Sequence, residues 1–152
     1  MYGFSLYGGS VELLTNGEVS GDTKQTCGFR EGYTVSWSFG TTNALKSIRF
    51  TTCYTANDGR YDDIKISKVE VKTAGSNSWT DLGVEPLDYA GSGAAGTALF
   101  ATLRDLESGW LARKVTELRI TFGKPNNVAQ YYAEIEAVGR VEPKPGLVLI
   151  VR

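Results

Sequence analysis

The sequence predicts an all-β domain, a sandwich or barrel of about eight short antiparallel strands. Three observations carry this. Apolar and polar residues alternate with a period of two through much of the chain, as in strands with one buried face. Clusters of small and polar turn residues separate these runs, and glycine (18 residues) far outnumbers proline (4). Aromatic residues are plentiful (3 Trp, 8 Tyr, 6 Phe) while Met occurs once, a balance that suits strands.

The elements follow in order. Tyr33, Val35, Trp37 and Phe39 alternate with Thr34, Ser36 and Ser38, which predicts a strand over 33–39. Ile48, Phe50 and Thr52 alternate with Arg49 and Thr51, a second strand. Ile64 and Ile66 share one phase, whereas Val69 and Val71 share the other. That slip predicts a bulge or a strand start near Ser67. Leu99, Ala101 and Leu103 form the next run, then Leu118, Ile120 and Phe122, then Ala133, Ile135 and Ala137. Leu103, Leu106, Trp110 and Leu111 approximate a helical stripe, but Gly109 interrupts it, so 103–111 reads as a loop with one turn. Turns are expected at 15–17, 56–59, 74–77, 90–93 and 123–127. The main domain is expected over 1–140. Residues 141–152 read as a connector holding Pro143 and Pro145, followed by an apolar edge strand, 147–151.

Composition removes several function classes. With no histidine, no Ser-His-Asp or Cys-His nucleophile, His base or His-ligated metal is possible. The net charge of −1 and the lack of a basic stripe interleaved with aromatics argue against nucleic acid as a partner. No apolar run is long enough to cross a membrane, and the first residues lack a basic segment followed by an apolar one, so no signal peptide is expected in them. Among carboxylates, Asp62 and Asp63 would face opposite sides of a strand, and Glu134 and Glu136 would share one face. Neither pair reads as the two acids of a glycosidase, and no enzyme activity is expected. Cys27 and Cys53 are too few for a structural zinc site. They read either as two buried thiols or as one disulfide between neighbouring strands, the latter implying an oxidising compartment.

Three segments read together are more specific. Leu13-Leu14-Thr15-Asn16-Gly17 is followed by Thr23. Ile48-Arg49-Phe50 leads through residues 54–61 to Ile64-Lys65-Ile66, Val69-Glu70-Val71 and Ser78-Trp79-Thr80-Asp81-Leu82. Val115-Thr116-Glu117-Leu118-Arg119-Ile120 precedes Ala133-Glu134-Ile135-Glu136-Ala137-Val138-Gly139. Over roughly residues 10–140 this order resembles the discoidin, or coagulation factor V/VIII type C, superfamily, and within it the family 32 carbohydrate-binding modules.

The resemblance implies a discoidin-like jelly-roll β-sandwich without catalysis, with ligand-binding loops at one end and a structural calcium ion. Its calcium ligands would fall on Asn16, Thr23, Ala133 through its carbonyl, and Glu134, with a carbonyl from Leu14. Glu18 or Asp22 could supply a second carboxylate. Such a set of hard oxygens suits calcium. Asn16 stands where the family usually has Asp, which removes one negative charge. Read from the residues alone, Asn16-Gly17 is a hairpin turn and Glu134 a solvated strand residue.

The candidate glycan-binding residues are Tyr54, Asn57, Asp58, Arg60 and Tyr61 of the central loop. Sugars are recognised by an aromatic face against their C–H groups and by planar polar side chains on their hydroxyls. The resemblance assigns an Arg and an Asn of this loop to a galactose-type ligand, matched here by Arg60 and Asn57. A His common in such sites is absent, so any sugar site must be built from Arg, Asn, Asp and Tyr. As plain local structure, Asn57-Asp58-Gly59 is a turn. Tyr89, Trp110, Tyr131 and Tyr132 are further loop candidates, whereas Trp37 and Trp79 read as core. The function expected is glycan binding by a module of a larger secreted or cell-surface polypeptide. The alternative is a protein-interaction or adhesion domain on the same scaffold.

Overall fold

The computed structural model describes residues 6–8, 15, 27–29, 32–52, 64–91, 98–124 and 130–142. Among these, nine strands form: β1 (Leu6–Gly8), β2 (Cys27–Phe29), β3 (Thr34–Thr52), β4 (Ile66–Thr73), β5 (Thr80–Asp81), β6 (Leu87–Gly91), β7 (Leu99–Arg104), β8 (Ala112–Phe122) and β9 (Gln130–Val141). Every pairing between them is antiparallel. No described residue lies in an α-helix, and residues 106–109 form a turn and bend, although Leu103 and Arg104, expected in that loop, end β7.

The two strands expected over 33–39 and 48–52 are one strand that changes partners. The first part of β3 pairs with β8, from Thr34 opposite Thr121 to Ser38 opposite Glu117. From Asn43 onward β3 pairs with β9, and over residues 47–51 also with β7 on its other edge. The strand must double back on its way. Thr34 lies opposite Thr121 and Thr52 opposite Tyr132, yet the Phe122 and Tyr132 rings are 4.9 Å apart. Both ends of β3 therefore lie at one end of the domain (the near end), and its bend lies at the other (the far end). Gly40, Thr41 and Thr42 occupy the bend. The β-branched threonines keep the backbone extended there, which hides the change of sheet from the sequence.

Two layers result. One is β5-β4-β8 with the first part of β3, and the other is β1-β2-β9 with the second part of β3, then β7 and β6. Between them lie Ile48, Phe50, Leu103, Tyr132 and, from the opposite layer, Val69, Val71, Val115, Leu118, Ile120 and Phe122, all buried. Each such large side chain contributes about 1.5–3 kcal/mol on burial. At the far end β9 runs so close to β3 that a Cβ on Gly139 would collide with the Ala44 carbonyl. Only glycine fits that approach.

The phase slip near Ser67 is a register irregularity. Ile66 lies opposite Phe122 and Lys68 opposite Thr121, so Ser67 is the extra residue of a bulge. β5 and β6 lack the alternation that would announce them. β6 carries Asp88, Tyr89, Ala90 and Gly91, all exposed, because it is an edge strand held only by β7. The expected turn at 90–93 therefore begins with strand residues, and Gly91 takes a φ of +81°. β9 separates β2 from β3, so the strand holding Cys27 and the strand leading to residue 53 are not neighbours. Cys53 itself and the apolar run 147–151 lie outside the described residues.

Trp79 is not core. It lies over the outer, charged face of the β4-β8 layer, with the Arg119 guanidinium 4.1 Å and the Lys72 ammonium 4.8 Å from its ring centroid. Beneath that layer of cations Glu70 is buried, bonded by Lys68 and Arg119. Period-two alternation does not distinguish an aromatic plug from an aromatic lid on a charged face. Trp37 is partly buried and packs against the core cluster.

Candidate functional site

The near end is built on buried hydrogen bonds. Tyr132 is fully buried at the start of β9, and its hydroxyl lies 3.2 Å from the Lys65 N–H, which donates to it. The same hydroxyl donates to the Lys65 carbonyl at 3.3 Å, and Gly123 N–H donates to that carbonyl at 2.8 Å. Thr52 Oγ1 accepts the Leu99 N–H at 3.1 Å. The residues flanking the central loop, Thr52 and Ile64, are both buried, so the loop's two ends are anchored in the core. Tyr54, Asn57, Asp58, Arg60 and Tyr61 lie between them and outside the described residues.

Ala133 and Glu134 lie on β9 beside this end. Thr51 faces Glu134 and Thr52 faces Tyr132, so Ala133 is an extra residue without a partner in the β3 register. Glu134 is buried at 5% exposure, not solvated as a bare strand residue would be. Its cross-strand neighbour Thr51 is completely buried, and among the described residues Thr51 Oγ1 makes no hydrogen bond. A buried carboxylate, a bulged backbone and an orphaned hydroxyl on one face are hard-oxygen donors of the kind calcium takes. They fit such an ion. Leu14, Asn16 and Thr23 lie outside the described residues. Glu136, two residues on, is ion-paired to Arg49.

The other two candidates separate. Tyr89 is 56% exposed on β6, opposite Ala101 and two residues from the Gly91–Leu99 pair at the near end. Trp110 lies at the far end, because the next residue, Leu111, donates its N–H to Leu45 at the β3 bend. Its turn is rigid. Asp105 accepts from Ser108 Oγ at 2.7 Å, Ser108 N–H at 3.1 Å and Glu107 N–H at 2.8 Å. The Ser108 hydrogen bonds and that from Glu107 hold the Asp105 carboxyl below the usual carboxylate range. Gly109 takes a φ of +72°, and Ser108 Oγ accepts the Trp110 backbone N–H at 3.2 Å. The guanidiniums of Arg113 and Arg140 each lie 4.9 Å from the Trp110 ring centroid. Sequence reasoning missed both arginines and Thr51, and the loop candidates Tyr131 and Tyr132 are instead buried in β9.

No protein-family model matches the sequence, and no curated protein matches it. Solved structures do. The chain is similar to the X-ray structure of GH31 CBM32-2 bound to GalNAc, with a TM-score of 0.61, 15% identity, and coverage of 87% of this chain and 89% of that one. It is also similar to CBM32-1 from a family 31 glycoside hydrolase from Clostridium perfringens, with a TM-score of 0.55, 9% identity, and coverage of 90% of both chains. The chain thus has the β-sandwich fold of these solved CBM32 modules.

Proposed function

We propose that this chain is a non-catalytic carbohydrate-binding module that engages a glycan through the loops of the near end, and that it works as part of a larger secreted or cell-surface polypeptide. The supporting observation is the shared fold over nearly the whole chain with a module described as bound to GalNAc. Tyr54, Asn57, Asp58, Arg60 and Tyr61 would supply the aromatic face and the planar polar groups, with Tyr89 beside them. A structural calcium ion held by Glu134, the Ala133 carbonyl and Thr51 Oγ1, with Leu14, Asn16 and Thr23, would fasten β9 to the early part of the chain. The buried Glu134 carboxylate facing the orphaned Thr51 hydroxyl supports it.

The test is calorimetric titration with GalNAc and galactose, backed by a glycan array. Binding near a Kd of about 0.1–1 mM is expected. Arg60→Ala or Tyr61→Ala should weaken it about tenfold or more at unchanged melting temperature. A blank array, or undiminished binding by both variants, refutes the reading.

A further inference from the structure

The described arginines are almost all neutralised locally. Arg49 pairs with Glu136, Arg104 with Asp88, Arg113 with Glu142 and Arg119 with Glu70. Arg140 is the exception. Among the described residues no carboxylate lies within ion-pair distance of it, and its guanidinium stacks on the Trp110 ring. The nearest acid along the strand, Glu142, is already committed. One of its oxygens is 3.5 Å from Arg113, and the other accepts the Lys114 N–H at 2.7 Å.

Two guanidiniums on one indole lie within about 10 Å of each other by the geometry of the two contacts. Like charges that close repel, and a single carboxylate offsets only one of them. Both arginines are exposed, so the arrangement is accessible. Trp110 is tied to the Asp105–Ser108 turn through its backbone N–H, and stacking on its ring holds both guanidiniums beside one another for an anion. Beside Arg140 a cleft of about 240 Å³, lined by Phe39, Asn43, Leu45, Ala137 and Gly139, offers an apolar wall and one amide.

We propose that Arg140 and Arg113, held by Trp110, form an oxyanion site at the far end that takes the acidic group of a charged glycan, a uronate carboxylate or a sulfate ester. The forked donors of guanidinium match either group. The cleft beside Arg140, with Asn43 in its wall, would hold the rest of that sugar unit. This extends the glycan-binding reading to a second, acid-selective site at the opposite end of the sandwich.

The full chain is titrated with a sulfated heparin-type oligosaccharide, with oligogalacturonate, and with neutral galactose. Binding of at least one acidic probe is expected, falling steeply with added salt. Arg140→Gln should weaken it about tenfold at unchanged melting temperature. Arg113→Gln should weaken it too, and Arg140→Lys should restore only part of the affinity. The preferred probe tells sulfate from carboxylate. Arg60→Ala should leave acidic binding intact while removing neutral-sugar binding, so failure at one end is read separately from failure at the other. No binding of either acidic probe, or full binding by Arg140→Gln, overturns the proposal, because a merely structural stack would change stability and not affinity.

Discussion

Replacing Glu70 by glutamine isolates the one buried charge network on the outer face of the β4-β8 layer. Glu70 is 5% exposed. It accepts from Lys68 Nζ at 2.7 Å and from Arg119 Nε at 2.8 Å, with a second Arg119 nitrogen at 2.7 Å. Burial opposes its ionisation, but the hydrogen bonds and charges of Lys68 and Arg119 outweigh that and hold its carboxyl below the ordinary 4.5. A hydrogen bond to a charged group contributes about 1.5–3 kcal/mol, and removing one partner of a fully buried pair costs about 3–5 kcal/mol. Lys68 and Arg119 keep 45% and 30% of their side-chain surface in solvent, so water compensates part of the loss. A net cost of about 1.5–3 kcal/mol follows, or roughly 4–10 °C in Tm for a domain of this size. The sign with pH is fixed. A carboxyl whose folded value is lowered contributes fully above its unfolded value and loses the contribution as pH falls below 4.5 towards the folded value. Urea titrations of wild type and Glu70→Gln, followed by tryptophan fluorescence because Trp79 stacks on Arg119, should differ at pH 7 and converge in acid. A difference under about 0.5 kcal/mol, or one independent of pH, refutes this account.

Two further outcomes follow from the near end. Tyr132→Phe keeps the ring against Phe122 but strips the Lys65 N–H of its acceptor, so a loss of about 1–2 kcal/mol is expected in chemical denaturation. Chelation should lower the melting temperature of the wild type, and added calcium should restore it. Glu134→Gln should melt low with or without the ion, and equal melting of wild type in chelator and in calcium would remove the ion from the reading.

Much of the sandwich is legible in residue order. The alternation over 33–39, 48–52, 99–103 and 118–122 marks strand residues of β3, β7 and β8, and the slip at Ser67 marks the bulge in β4. These signals survive because burying one face of a strand forces a local period of two. Other features have no local signal. β6 is held by a single neighbour and needs no apolar alternation. Trp79 sits in a run that looks like a strand of the core, yet its ring covers cations contributed by β4 and β8. Glu134 stands out in the sequence only through the resembling motif, while its cross-strand neighbour Thr51 is found only through register across two strands 83 positions apart in number.

What the sequence determines by itself is the class and the chemistry excluded. Without histidine, with balanced charge and with many glycines and aromatics, it reads as an all-β domain closed to histidine-based catalysis and histidine metal ligation. Which side chains meet is decided by the fold. The doubling back of β3 carries the ends of the central loop to one end of the sandwich and Trp110 to the other, beside an arginine thirty positions away. The reason is physical. Alternation depends on neighbours two residues apart, whereas a binding site depends on which strands the layers bring into register, and that is set by packing the whole core at once.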